Sequence, residues 1–188
     1  PSRPLIPAEE LPTRSPVLCA GCPHRSTFYN LARMKLPVAG DIGCYNLGCQ
    51  PPFRAQHTMG AMGASVGVLH GMSIAGLPED RVCTIGDSTF FHSGLPPLLN
   101  MVHNRSKGVV ILMDNGTTAM TGHQDHAGTD WQVLPDKRAR KVEIEPLVKA
   151  MGVDKVKVVD AFNVKEVEAG LKECIAHDGP SVLITRGP

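Results

Sequence analysis

The sequence is poor in aromatic residues, carries almost no net charge and lacks long apolar runs. Phe, Tyr and Trp make up 4% of the 188 residues, which argues against the aromatic platforms on which single-stranded nucleic acids stack. The formal net charge is +1, so the basic surface that attracts nucleic acids or anionic membranes is missing. No apolar run approaches the roughly 20 residues of a membrane-spanning helix. We therefore expect neither nucleic acid nor a membrane among the partners.

The start of the sequence lacks both an initiator Met and the apolar segment of a signal peptide. We therefore expect a piece of a longer polypeptide. Proline-rich residues 1–16 would form a linker from an upstream domain, and residues 17–188 would form one domain. Six cysteines without a signal peptide indicate free thiols in a reducing, cytoplasmic environment. There, clustered cysteines are more typical of metal or iron–sulfur ligands than of disulfides.

Helical and extended apolar patterns alternate along the chain. The patterns predict helices over 26–34, with Ser26 as N-cap, and over 59–70, 95–104, 144–151 and 164–177. They predict strands over 38–41, 81–85, 109–113, 156–159 and 181–185. This alternation predicts an α/β fold with a parallel sheet and helices on both faces. Residues 115–140 form a long polar segment, and connections of that length tend to be functional.

Three predicted strands run into polar, glycine-containing segments, at 40–44 (GDIGC), 86–88 (GDS) and 114–117 (DNGT). Ligands bind parallel sheets at the carboxyl ends of the strands, and Asp87 and Asn115 follow neighbouring strands. A carboxylate, an amide and a backbone carbonyl are hard oxygen ligands suited to Mg²⁺. Gly86 and Gly116 would let backbone N–H groups approach a diphosphate. The sequence therefore predicts a magnesium and phosphate site at this edge.

The paired motifs at 86–88 and 114–117 resemble the signature of thiamine diphosphate enzymes. The resemblance implies that Asp87, the Asn115 side chain and the Thr117 carbonyl hold Mg²⁺ beside thiamine diphosphate. It also implies a thiamine-diphosphate-binding fold of the diphosphate-binding type. The small-residue segment 59–64 (MGAMGA) strengthens the match, because the corresponding helix of the family packs beside the cofactor.

Three further segments narrow the resemblance to the 2-oxoacid:ferredoxin oxidoreductases. They are 18–25 (LCAGCPHR), 40–44 and 117–124 (TTAMTGHQ), and together they look like the large (alpha) subunit of the indolepyruvate branch. The resemblance implies oxidative decarboxylation of an aryl 2-oxoacid to its acyl-CoA, with electrons passed to ferredoxin. It implies a pyrimidine-binding domain, a beta subunit and an oligomer as partners, with the activating Glu outside this chain, which alone should be inactive. The implied cofactor-binding residues are Gly43, Cys44, Gly86, Asp87, Ser88, Asn115, Thr117, Met120 and Thr121.

The cysteines and histidines are open to several interpretations. In related enzymes, cysteines matching Cys19, Cys22 and Cys44 resemble ligands of a [4Fe–4S] cluster, with the fourth ligand expected beyond Pro188. A zinc site, or packing around the cofactor, would also explain them, whereas Cys49, Cys83 and Cys174 are poor ligand candidates. His57 and His123 are candidate active-site residues. His24 and His126 are open to an active-site or a structural interpretation.

Met120 departs from the pyruvate-type relatives, which tend to have Asn at this position. Methionine is apolar and donates no hydrogen bond, which fits an enlarged apolar pocket for an aryl substrate. Two other functions compete with the oxidoreductase. One is a non-oxidative decarboxylase or acetolactate-synthase-like enzyme, which needs no electron acceptor. The other is a structural zinc module on Cys19, Cys22, Cys44 and Cys49, which leaves Asp87 and Asn115 unexplained.

Overall fold

A six-stranded, all-parallel sheet forms the centre of the computed structural model, which describes residues 12, 15–77, 81–130 and 140–187. The strand order is β2-β1-β3-β4-β6-β5. The strands are β1 (Val38–Gly40), β2 (Thr58–Met59), β3 (Val82–Gly86), β4 (Gly108–Asp114), β5 (Lys155–Asp160) and β6 (Pro180–Arg186). Most of the predicted linker over 1–16, and residues 131–139 of the long polar segment, lie outside the described residues.

Helices cover both faces of this sheet. They are α1 (His24–Met34), α2 (Ala64–Ile74), α3 (Asp87–Thr89), α4 (Leu95–His103), α5 (Ile144–Ala150) and α6 (Val164–Ile175). One buried cluster joins α1 and α6 to the sheet, and a second joins α2, α4 and α5 to its other face. The predicted three-layer α/β architecture is therefore confirmed.

Strand β4 is apolar over residues 109–113 because both of its faces are buried there. Val109, Ile111 and Met113 belong to the cluster under α1 and α6, whereas Val110 and Leu112 belong to the other cluster. Successive side chains of a strand point to opposite faces, so an unbroken apolar run is what a central strand requires. β3 and β6 flank β4 in parallel register, so the ends of β3 and β4 lie side by side.

Two predicted helix starts are wrong. The first helix begins at His24 rather than after Ser26, and the Ser26 hydroxyl donates to the Ala161 carbonyl instead of capping a helix. The predicted helix over 59–70 begins only at Ala64, because Thr58 and Met59 pair with β1 as an edge strand. Among the described residues, no helix combines the length and apolar character needed to cross a bilayer.

Candidate active site

A cavity of about 120 Å³ opens at the carboxyl ends of β1, β3 and β4. Its lining includes all nine residues that the sequence resemblance assigned to cofactor binding: Gly43, Cys44, Gly86, Asp87, Ser88, Asn115, Thr117, Met120 and Thr121. These residues come from three segments separated along the chain. The parallel register brings them to one edge of the sheet, which is the geometry that the sequence predicted.

Asp87 begins the helical segment that follows β3, and it is buried. The Ser88 amide donates to its Oδ1 at 2.7 Å, and the Gly116 amide donates to its Oδ2 at 2.8 Å. The second of these bonds ties the end of β3 to the turn after β4. The carboxylate is thus held at the junction of the two motifs that the sequence singled out.

Asn115 and Thr117 lie in the turn after β4 and line the same cavity as Asp87. The turn is closed by the Thr118 amide, which donates to the Gln124 carbonyl at 3.0 Å. The Thr118 hydroxyl donates to the Ser88 hydroxyl at 2.7 Å and so joins the turn to the segment after β3. Asp87, Asn115 and Thr117 therefore line one cavity, and a carboxylate, a side-chain amide and a backbone carbonyl are a donor set of the kind that Mg²⁺ prefers.

Tyr45, which no sequence motif singled out, forms part of the cavity wall. Its hydroxyl donates to the Ile42 carbonyl at 2.7 Å, and burial raises its pKa. A Cβ added at Gly43 or Gly86 would lie 2.3 or 2.5 Å from the Tyr45 ring. The two glycines are therefore needed for the tyrosine to pack here. The sequence feature that could have indicated Tyr45 as a site residue is its position directly after GDIGC.

Asp41 fixes the backbone at the end of β1, next to the cavity residues Ile42 and Gly43. Its Oδ1 accepts from the amides of Ile42 and Gly63, both at 2.7 Å, and its Oδ2 accepts from the Ser65 amide at 2.9 Å. These bonds join the end of β1 to the start of α2. Asp41 is fully buried, so its carboxylate serves the backbone of the glycine-rich segment.

His24 lines the cavity and is buried. Burial lowers its pKa to about 4, although the negative charge of Asp87 opposes this shift. The ring meets Tyr45 edge to face, with centroids 6.1 Å apart. His24 is therefore a neutral imidazole near pH 7, and it can donate or accept a hydrogen bond in the cavity.

The two other candidate histidines, His57 and His123, are exposed and lie outside the cavity lining. His57 Nδ1 accepts from the Val38 amide at 3.1 Å, at the start of the three-residue strand β1. The His123 amide donates to the Thr118 carbonyl, which helps to close the turn after β4. In this structure both residues therefore take part in hydrogen bonds that hold the backbone. His126, by contrast, lies against Asp87.

The thiols of Cys19, Cys22 and Cys44 lie near one another. Burial raises the pKa of Cys22, and the neighbouring thiols of Cys19 and Cys44 raise it further. Cys44 also lines the cavity. Across the part of the chain that the structure describes, no group of three or more Cys, His, Asp or Glu side chains is arranged to hold a metal ion. Cys83 and Cys174 are buried in β3 and α6, as the sequence predicted.

Residues 41–185 match the family model for the C-terminal TPP-binding domain of thiamine pyrophosphate enzymes. This match covers most of the chain and all the motifs after β1. The chain therefore belongs to this family of thiamine-diphosphate-binding domains.

Among curated proteins, the chain is 43% identical to indolepyruvate oxidoreductase subunit IorA of Pyrococcus horikoshii, over 95% of the chain. It is 42% identical to the subunit of the same name from Methanothermobacter marburgensis, over 97% of the chain. The chain spans only 30% and 31% of the length of these two relatives.

Solved structures share the fold at low sequence identity. A 2-oxoglutarate:ferredoxin oxidoreductase from Magnetococcus marinus superposes with a TM-score of 0.75 at 20% identity, over 94% of this chain and 64% of that one. Benzoylformate decarboxylase from Polynucleobacter necessarius superposes with a TM-score of 0.62 at 14% identity, over 85% and 32%. Oxidative and non-oxidative enzymes therefore share this architecture, and the fold alone does not choose between them.

Proposed function

We propose that this chain is the thiamine-diphosphate-binding part of an indolepyruvate-type 2-oxoacid:ferredoxin oxidoreductase. The protein containing it would convert an aryl 2-oxoacid and coenzyme A to acyl-CoA and CO₂, with the two electrons passed to ferredoxin. The observation that carries the proposal is the identity of 42–43% to IorA subunits across nearly the whole chain. The cavity at the strand ends supports it, because its walls carry the motifs of that family.

The cavity residues fit thiamine diphosphate and Mg²⁺. Asp87, the Asn115 side chain and the Thr117 carbonyl would hold the metal ion, since together they supply the hard oxygen ligands it prefers. The sequence prediction that the Gly116 amide faces a diphosphate is not supported, because that amide donates to Asp87 Oδ2 and Gly116 is outside the cavity lining; its φ of +70° instead lets the turn after β4 close onto Asp87. When bound, the cofactor supplies the nucleophilic carbon and the electron sink for decarboxylation.

The remaining cavity residues would orient the substrate and exclude water. Neutral His24 presents a hydrogen-bonding nitrogen without placing a positive charge beside the metal ligands. Tyr45 closes one wall, and Met120 lines the cavity while it is still half exposed. An apolar, partly exposed Met120 suits contact with the aryl group of a substrate that enters from solvent or from a partner domain.

The proposed reaction is tested with the complete subunit and its beta subunit, prepared anaerobically. We expect indolepyruvate to reduce ferredoxin with coenzyme A present, and pyruvate to do so with a much lower kcat/KM. The non-oxidative alternative predicts release of an aldehyde or a carbon–carbon coupling product without ferredoxin reduction. Product identification by mass spectrometry separates the two outcomes.

We further propose that Cys19, Cys22 and Cys44 are ligands of a [4Fe–4S] cluster beside the cofactor, with a fourth ligand from elsewhere. Burial is the largest cause of the raised pKa of Cys22 and of Cys44, and the further contributions of Cys19 and Cys44 to Cys22, and of Cys19 to Cys44, support the proximity of the three residues. Iron and acid-labile sulfide are measured on the complete protein, together with zinc. Cluster occupancy that is lost in Cys19→Ser supports the proposal, whereas stoichiometric zinc supports the alternative metal site.

The apolar surface of α2 supports a partner domain or a second subunit beside the cavity. Val68 and Ile74 are exposed on this helix, and Met59 and Met62 are exposed just before it. Exposed apolar patches of this kind mark interfaces. We assign the surface to the pyrimidine-binding domain of the oligomer. We also infer a cytoplasmic location, which the six free thiols support.

A further inference from the structure

The imidazole of His126 lies against the carboxylate that we assign to the metal ion. His126 Nε2 is 3.2 Å from Asp87 Oδ2, and the two side chains are 6% and 3% exposed. His126 is not part of the cavity lining, whereas Asp87 is. The histidine therefore contacts Asp87 from behind the cavity wall, and it can act on a bound group only through the carboxylate.

The hydrogen on the imidazole is fixed by the local backbone. The Gly128 amide donates to His126 Nδ1 at 3.0 Å, so Nε2 carries the hydrogen of the neutral ring. Nε2 is buried and has no aligned hydrogen-bond acceptor, although Asp87 Oδ2 is within reach. A small reorientation of the carboxylate would complete this bond. Without this bond, the buried Nε2–H of His126 would have no acceptor, which is unfavourable in a protein interior.

The position of the ring is built by several contacts. It packs on Phe91 with centroids 5.7 Å apart, and the Thr129 hydroxyl donates to the His126 carbonyl at 2.9 Å. A Cβ at Gly128 would lie 2.7 Å from the Phe91 ring and 3.0 Å from the His126 ring. Gly128 therefore leaves the space that both rings occupy. These contacts anchor the segment after Gln124 to the back of the metal-binding wall.

The neighbours of Asp87 determine which of its two carboxylate oxygens stays available to a metal ion. Each carboxylate oxygen has about two acceptor positions. Oδ2 accepts from the Gly116 amide and faces His126 Nε2, whereas the Ser88 amide is the only donor to Oδ1 among the described residues. If His126 completes its bond to Oδ2, the remaining acceptor position of the carboxylate belongs to Oδ1.

We propose that His126 is a positioning residue for the metal-binding carboxylate. By holding Oδ2 of Asp87 from behind, it directs Oδ1 to the metal ion and fastens the segment 124–130 to the site. This inference rests on the magnesium site of the proposed function. A neighbour that orients a ligating carboxylate affects metal affinity directly, and the loss of such a neighbour typically weakens binding by 10–100-fold.

The test measures the binding of thiamine diphosphate and Mg²⁺ instead of catalytic activity. Thiamine diphosphate binding to the complete subunit is measured by calorimetry over a Mg²⁺ titration. We expect His126→Leu to raise the Mg²⁺ concentration for half-maximal binding by about tenfold or more, while saturating Mg²⁺ restores thiamine diphosphate affinity. His126→Gln should recover most of the Mg²⁺ affinity, because its amide nitrogen replaces Nε2 as donor. His103→Leu, at an exposed histidine on α4, is the matched control.

Hydrogen exchange gives a second readout. Cofactor and Mg²⁺ should slow amide exchange over residues 124–130 in the wild type and in His126→Gln, and much less in His126→Leu. The inference is overturned if His126→Leu keeps the wild-type Mg²⁺ requirement, or if His126→Gln is as impaired as His126→Leu. If wild-type binding is independent of Mg²⁺, the proposed magnesium site fails as well. A Mg²⁺-dependent wild type with an unaffected His126→Leu overturns the positioning role alone.

Discussion

At the scale of single residues, the site combines groups that serve the ligand with groups that serve the backbone. Asp87 belongs to both classes, since it lines the cavity and accepts from two amides. Asp41 has the same residue type and a similar position at a strand end, but its three bonds all go to backbone amides. Both carboxylates are buried and both accept from backbone amides, so the candidate ligand is distinguished from the structural carboxylate because Asp87 lines the cavity and Asp41 does not.

Asp87→Asn should weaken Mg²⁺-dependent thiamine diphosphate binding by about 100-fold, which corresponds to roughly 2.7 kcal/mol. The amide keeps one acceptor for the backbone but removes the negative charge that attracts the metal ion. Asp87→Ala would also leave the Ser88 and Gly116 amides without an acceptor, at about 1–3 kcal/mol each. Calorimetry measures the affinity, and Asp154→Asn, at an exposed position, is the control. Affinity retained in Asp87→Asn would contradict the metal site.

Met120→Asn should shift the selectivity of the complete enzyme from aryl 2-oxoacids towards small ones. The substitution replaces apolar surface in the cavity with a group that needs hydrogen-bond partners. The ratio of kcat/KM for indolepyruvate and pyruvate should change by about tenfold, the value of a lost apolar contact. Met120→Leu keeps an apolar side chain of similar size and should retain the wild-type ratio. An unchanged ratio in Met120→Asn would contradict the assigned contact.

His24 should make the fold sensitive to mild acid. Its pKa is lowered to about 4 by burial, against an ordinary value of 6.5. The unfolded chain therefore binds the proton more readily, and the stability present above about pH 6.5 is lost as the pH falls towards 4. At pH 5 the loss is about 2 kcal/mol. Denaturant unfolding at pH 7 and pH 5 should show a smaller loss in His24→Gln, and equal losses would rule out a buried neutral His24.

At the scale of elements, periodic or unbroken apolar patterns predicted the bounds of helices and strands better than an enrichment in small residues did. The pattern over 109–113 corresponds to β4, and the helix predicted over 164–177 is observed as α6, Val164–Ile175. The small-residue segment 59–64 led to a wrong helix start, because Met59, at its beginning, pairs with β1 together with the preceding Thr58 instead of joining the helix. A two-residue edge strand has no periodicity of its own, so only its neighbour reveals it.

Gly86→Ala should destabilise the junction of β3 and the helical segment after it. The new Cβ would lie 2.5 Å from the Tyr45 ring, which is itself buried and hydrogen-bonded. Overpacking of this kind costs about 1–3 kcal/mol, and the free energy of unfolding measures it. Gly71→Ala, inside α2 with no atom within 4 Å of the new Cβ, is the control and should be neutral or stabilising. Similar effects in the two variants would contradict the role assigned to Tyr45.

At the scale of the whole molecule, the exposed apolar surface of α2 continues from Met62, which lines the cavity just before this helix begins. Val68→Lys and Ile74→Lys should therefore weaken assembly of the complete protein and its thiamine diphosphate affinity together. Analytical ultracentrifugation and calorimetry measure the two effects. Val164→Lys, on α6 at the opposite face of the sheet, is the control and should leave both unchanged. Unimpaired assembly in the α2 variants would remove this surface from the interface.

The family was indicated by the resemblance of the sequence motifs. The sequence by itself determined the architecture and the meeting of the segments after β3 and β4 at one cavity. It could do so because strand periodicity is local, and because the carboxyl ends of adjacent parallel strands meet at one edge. Asp87 and Asn115 were therefore predictable neighbours. Only the tertiary structure revealed that Tyr45 requires Gly43 and Gly86, that His57 caps the start of β1, and that His126 lies behind Asp87. These relations join residues whose contact depends on side-chain packing and loop closure, which no short stretch of sequence encodes.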